Sequence, residues 1–436
     1  MTARQRRFLG AAATAGTFVA FGAVPVANAD FDDLIMPVID DLFGGVDPSL
    51  AADTGDPSAA MASLDTLFEG WYQDLVTTPI HDVEQWFDGG SSGTAAATVA
   101  SASSGGTAAS TSDAADTPTS FTIPLVMHNT TEPVVDVSVG GGAQSSVLVD
   151  TGSTGLVMPE DDVKNFNWFD VNWFDLQYGS YGSGDDSLGY FYTEMPETLT
   201  FTNTAGDTVT TGTTDVDVVL FSFPTGLQSL LDGDWTLGSY LKDDADGVMG
   251  IGVNAIGPGD SSPLTALPGD LRDGVLINES GGTLTFGSDT LSGGTTVDGA
   301  PYATVDVSFN GGPLQQVSAI MDSGGSYGSV SSSLLKDAGV TATSSGYLPN
   351  GTTVAIYSAD GKDLLAYYTV DTVGSGSSAE SNGPVVVSGD DLISGYGIKS
   401  DSSGTVVPFT LNTGNEAFLE QQVYVSNTDG TTTFGG

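Results

Sequence analysis

Asp150-Thr151-Gly152 and Asp322-Ser323-Gly324 are the two places where residue type and context together point to chemistry. An apolar run leads into each, Val147-Leu148-Val149 and Ala319-Ile320-Met321, as a strand leads into a tight turn. Glycine in such a turn lets other groups approach the backbone closely, and the Thr or Ser hydroxyl can lock the turn. Two carboxyl groups brought into one site cannot both ionise cheaply, so one proton is held between them and the pair can activate a water. Asp53-Thr54-Gly55 lacks the preceding apolar run, is followed by Asp56-Pro57, and reads as an ordinary turn. Cysteine is absent and there are two histidines. Thiol catalysis, disulfides and Cys-ligated zinc are excluded, and neither metal nor cofactor is expected.

The surroundings of the two triplets repeat. Val135-Asp136-Val137-Ser138 and Val305-Asp306-Val307-Ser308 begin 15 and 17 residues before their aspartates. Downstream stand Val248-Met249-Gly250 and Gly414-Asn415, the latter followed by Phe418-Leu419. Strand, turn, strand, Asp turn and a distant Gly segment recur in order, which reads as an internal duplication giving two similar lobes.

The elements that must position these turns lie between Phe121 and Gly436. Short runs rich in Val, Thr, Phe and Tyr, such as 134–139, 146–149, 198–203, 216–221 and 423–425, are separated by Gly, Asn and Asp. This predicts an all-β unit over 121–436, with an N-lobe over about 121–300, a C-lobe over about 301–436, and one helix near Ser331 to Ala338. Before it, residues 91–120 are Gly, Ser, Ala and Thr almost throughout and read as a linker. Residues 30–90 form an acidic region with apolar residues at helical spacing, among them Leu64, Leu67, Phe68, Trp71 and Leu75. Residues 1–29 read as a signal peptide. Arg4, Arg6 and Arg7 precede an apolar stretch that ends in Ala27-Asn28-Ala29, and the export route is Sec or twin-arginine.

The region from Phe121 onward resembles the pepsin-like aspartic proteases in its two Asp-Thr/Ser-Gly loops and the Val248-Met249-Gly250 crossing segment. That resemblance implies an all-β, two-lobed fold with Asp150 and Asp322 as the catalytic dyad. Thr151, Gly152, Ser153, Ser323 and Gly324 would support the dyad loops. It also implies a hairpin flap bearing Tyr-Gly, for which Tyr178-Gly179 is the first choice and Tyr181-Gly182 the rival frame. The family's Ser or Thr after the second triplet is Gly325 here. A missing donor should raise the pKa of Asp322 and make it the protonated partner, with Ser326 a possible replacement. The stretch Leu67 to Trp86, with Thr78-Pro79-Ile80-His81, is similar to the linker segments of mycobacterial PE and PGRS proteins. This points to the PecA-type aspartic proteases, which process PE-domain proteins at the cell envelope.

Nine Lys and Arg face 55 Asp and Glu, for a net charge of −46. Such a surface repels nucleic acid and anionic lipid. The expected partner is an extended polypeptide substrate, PE-domain proteins included, met by an exported, monomeric enzyme with no membrane span once the signal is removed. His81 and His128 read as structural or surface residues. The alternative is a catalytically inactive surface binding or structural protein on the same scaffold.

Overall fold

The computed structural model describes residues 11–13, 118–172, 176–183, 186–242, 244–373, 380–387 and 409–435. The chain divides into two units, Met1–Gly16 with Asp113–Asn172 and Gln177–Gly436, and Thr17–Ser112 with Trp173–Leu176. All described residues except Leu176 belong to the first. The acidic helical region, and the signal peptide and linker apart from residues 11–13 and 118–120, lie outside the described residues.

The first unit is built of β-sheets. The first lobe is formed by strands β1 (Glu132–Val139), β2 (Gln144–Asp150), β3 (Thr154–Pro159), β4 (Gln177–Ser183), β5 (Asp186–Glu197), β6 (Thr214–Pro224) and β7 (Gly247–Ile251). They belong to one sheet in the order β4, β5, β6, β3, β7, β2, β1, extended by shorter strands. Ala11–Ala13 pairs antiparallel with the outer edge of β4. The second lobe is formed around β8 (Tyr302–Phe309), β9 (Gln315–Ile320), β10 (Ser329–Ser331) and β11 (Phe409–Asn412). A third sheet of six strands takes Ser120–Pro124 from the start of the domain, Gly274–Asn278, Thr283–Gly287 and Thr295–Asp298 from its middle, and Val423–Ser426 and Thr431–Phe434 from its end.

Alternation of burial explains these strands. In Ser120–Pro124, Phe121 and Ile123 are buried between exposed neighbours, the period-2 signature of a sheet with one wet face. Strands β2, β3 and β7 are buried almost throughout, as befits strands covered on both faces. One continuous core runs through all three sheets, from Val137, Val149 and Met249 through Ile277 and Phe286 to Val307, Ala319 and Leu411. The expected helix is Ser332–Asp337, capped by the Ser331 hydroxyl, which accepts from the Leu334 N–H.

The duplication inferred from sequence is present in the registers. In the first lobe β7 runs parallel to β2 and antiparallel to β3, with Val248 opposite Leu148 and Val157. In the second lobe β11 runs parallel to β9 and antiparallel to β10, with Asn412 opposite Ile320 and Ser329. Leu148 and Ile320 each lie two residues before their aspartate, and Val157 and Ser329 each lie seven after. The second crossing strand is therefore Phe409–Asn412, just before the Gly414-Asn415 segment singled out above.

Candidate active site

Asp150 ends β2 and Asp322 lies just beyond β9, and both carboxyls are buried. The two loops hold each other across the lobes. Thr151 Oγ1 donates to the Met321 carbonyl (2.6 Å) and accepts from the Ser323 N–H (2.8 Å). Ser323 Oγ donates to the Val149 carbonyl (2.7 Å) and accepts from the Thr151 N–H (3.0 Å). The triplets' Thr and Ser thus face the opposite loop and join the lobes. Gly152 and Gly324 make room for the carboxyls. A Cβ at Gly152 would stand 2.5 Å from the Asp322 carboxyl, and one at Gly324 would stand 2.7 Å from that of Asp150.

Asp150 Oδ1 accepts from the Gly152 N–H (2.7 Å) and Oδ2 from the Ser153 hydroxyl (2.5 Å). Asp322 Oδ1 accepts from the Gly324 N–H (3.1 Å) and Oδ2 from the Asn412 side-chain amide (2.7 Å). Burial raises the pKa of both acids, and each carboxyl lies close enough to the other to affect its titration. For Asp150 the bonds from Asp322, Ser153 and Gly152 oppose the rise. For Asp322 the Asp150 charge adds to it and carries its pKa well above the usual carboxylate range. The two carboxyls share their titration as a pair. The rise at Asp322 comes first from burial and then from the neighbouring Asp150 charge, not from a missing donor. Asn412 supplies the donor at Oδ2. Ser326 does not, for its hydroxyl is buried with no partner.

Near the dyad, Asn412 and Glu279 were not picked out from the sequence, and Asn415 was picked out only as part of the Gly414-Asn415 segment. Asn412 had one signal, a polar residue closing an otherwise apolar strand. Asn415 donates from its side chain to the Ser323 carbonyl (2.9 Å) and to Glu279 Oε1 (2.7 Å). Burial pushes the Glu279 carboxyl up to about 8, against the lowering effect of the Asn415 bond. Glu279 is 136 residues from Asn415, so spacing carries no hint of the contact.

The two candidate flap tyrosines both lie on β4, which forms a hairpin with β5. Tyr178 packs edge-on against Phe191 (5.5 Å between ring centroids) and near Phe223 (6.4 Å), and Gly179 lies against the Tyr190 ring. Tyr181 is buried and stacked on Tyr190 (5.3 Å). Burial, then Tyr190, then the Asp150 charge raise the Tyr181 phenol. Trp168 packs against Phe166, Phe169 is exposed, and His128 pairs with Asp244 at 3.0 Å.

A family model described as the PE-PGRS C-terminal aspartyl peptidase-like domain matches residues 121–402. The chain belongs to this family. Among its curated relatives, PE cleavage protein A of Mycobacterium marinum is 43% identical over 202 residues, 44% of this chain and 35% of that protein. PE cleavage protein A of Mycobacterium tuberculosis is 37% identical over 263 residues, 57% of this chain and 45% of that protein. The chain spans less than half the length of these relatives. A solved aspartic proteinase from Irpex lacteus is similar at a TM-score of 0.44 with 17% identity, over 72% of this chain and 97% of that one. The matched family segment contains both Asp loops and the hairpin.

Proposed function

We propose that this chain is an aspartic endopeptidase in which Asp150 and Asp322 hydrolyse peptide bonds through an activated water. The observation that carries the reading is the pair of buried carboxyls brought together by Gly152 and Gly324 and held by reciprocal bonds between the two loops. Ionised Asp150 takes a proton from a water. The water oxygen bonds to the peptide carbonyl carbon while protonated Asp322 donates a hydrogen bond to the developing oxyanion. As the C–N bond breaks, a proton passes to the leaving nitrogen. Thr151, Gly152, Ser153, Ser323 and Gly324 hold the pair, and the β4–β5 hairpin closes over an extended substrate that adds to it as a strand.

The enzyme is exported through residues 1–29 and acts on proteins of the cell envelope. The names of its relatives make PE-domain proteins the first substrates to try. The test is incubation of the protein with a denatured protein mixture and with a PE-domain protein from about pH 3 to 7, the range of carboxylate-pair titration, read by mass spectrometry. Wild type should release peptides, and D150N and D322N should each lower turnover by about 100-fold or more. Equal product from all three proteins, or none from wild type with every chain folded, would overturn the reading.

A further inference from the structure

The two lobes satisfy the Oδ2 atom of their aspartates by different means. In the first lobe the donor comes from the loop, Ser153, three residues after Asp150, and the crossing strand offers only apolar Val248. In the second lobe the position three residues after Asp322 is Gly325, and the crossing strand offers Asn412 at the register of Val248. Both register pairings, to the Asp strand and to the strand after it, make Val248 and Asn412 equivalent.

The two solutions exclude each other. A Cβ at position 325 would lie 2.7 Å from Asp322 Oδ2 and 3.0 Å from Asn412 Oδ1. With Asp322 and Asn412 bonded as they are, position 325 has room only for glycine. Its orientation is set by Gly414, whose N–H donates to Asn412 Oδ1 (2.8 Å) and leaves the NH2 group facing Asp322. An amide NH2 donates and cannot accept, whereas a serine hydroxyl does both. With Asn412 on Oδ2 and the Gly324 N–H on Oδ1, each oxygen of Asp322 receives one donor, and the amide cannot take a proton from Oδ2 as a hydroxyl could.

We propose that Asn412 is a positioning residue for Asp322, taking over in the second lobe the role that Ser153 plays in the first, and that Gly325 exists to admit it. This rests on the reading of the dyad given above. The geometry makes position 325 and position 412 one coupled site, in which a donor is needed once.

The test uses N412A, G325S and the double variant G325S/N412A in the full chain. Two readouts are taken, peptide-cleavage kinetics against pH and a carbon-13 NMR titration of the aspartate carboxyls, with the Asp322 signal assigned by its loss in D322N. N412A should keep KM, lower kcat by about tenfold or more, the scale of one hydrogen bond to a charged group, and move the Asp322 titration to higher pH. G325S should also be impaired, because its Cβ crowds the Asp322 carboxyl and Asn412 together. In the double variant the Asp322 carboxyl can shift into the space that Asn412 vacates and accept from the serine hydroxyl, so kcat and the titration should return toward wild type. An Asp322 titration in N412A identical to wild type, or a double variant worse than the two singles combined, would overturn the proposal. The NMR readout decides this even if wild type cleaves nothing, an outcome that would instead count against the peptidase reading.

Discussion

Glu279 shows how a single residue ties the dyad to pH. Its carboxyl is buried and pushed up to about 8, and it accepts from the same Asn415 amide that holds the Ser323 carbonyl. An acid whose folded pKa lies above its unfolded value binds more protons in the folded state. Its stabilising effect is complete below the unfolded value, near 4.5, and is lost as pH rises through the folded value. E279Q removes the titration and keeps an amide in place of the acid. We expect the fall in Tm between about pH 4.5 and 8 to flatten in E279Q relative to wild type, with little change at pH 4. Thermal unfolding followed across this range checks it, and parallel curves for the two proteins would contradict it.

At the scale of elements, the Asp loops are held less by their own strands than by each other. The Thr151 and Ser323 hydroxyls make four hydrogen bonds across the lobes, each donating one to a carbonyl of the opposite loop and accepting one from its backbone N–H. S323A leaves the Val149 carbonyl and the Thr151 N–H buried without partners. Each such group costs on the order of 1–3 kcal/mol, so S323A should destabilise the domain by about 2 kcal/mol or more. T151V should cost a similar amount. Because the two residues share one network, the double variant should cost less than the sum of the singles, as measured by denaturant unfolding in a double-mutant cycle. Simple additivity would show that the loops are independent. The loop strands themselves were visible as apolar runs before each aspartate. The crossing strand of the second lobe was not, because Phe409–Asn412 is four residues long and ends on a polar side chain. Its place is fixed by pairing to β9 and β10, residues some 80 to 90 positions earlier.

Across the whole molecule, acidity is the dominant electrostatic fact. A net charge of −46 means that carboxylates repel one another at neutral pH with few bases to offset them. Burial also lifts internal acids, with Glu279 at about 8, Glu416 at about 7 and Asp217 well above the usual range. All of these act in one direction and favour the fold at acid pH. Salt should therefore raise Tm by several degrees between low ionic strength and about 1 M at pH 7, where the Debye length falls to about 3 Å. It should do much less near pH 4, where many carboxylates are protonated. An equal salt response at the two pH values would place the salt effect elsewhere than in charge screening.

By itself the sequence determined the chemistry on offer. The absence of cysteine, the scarcity of histidine and the two Asp-Thr/Ser-Gly turns in strand context left a carboxylate pair as the reactive constellation. The repeated Val-Asp-Val-Ser runs announced the duplication, because residue type and order survive in the chain whatever the fold. The all-β class was equally local, since alternation of apolar and polar residues is a period of two along the chain. Only the tertiary structure decided which neighbours the carboxyls have. Burial and the neighbouring Asp150 raise the Asp322 carboxyl, Asn412 rather than Ser326 reaches its outer oxygen, and buried Tyr181 is raised in part by the Asp150 charge. These contacts join residues some 30 to 170 positions apart and depend on strand register. A shift of one residue would turn every side chain of the crossing strand to the other face. No local spacing encodes that register. It follows from how the sheets close around the shared core.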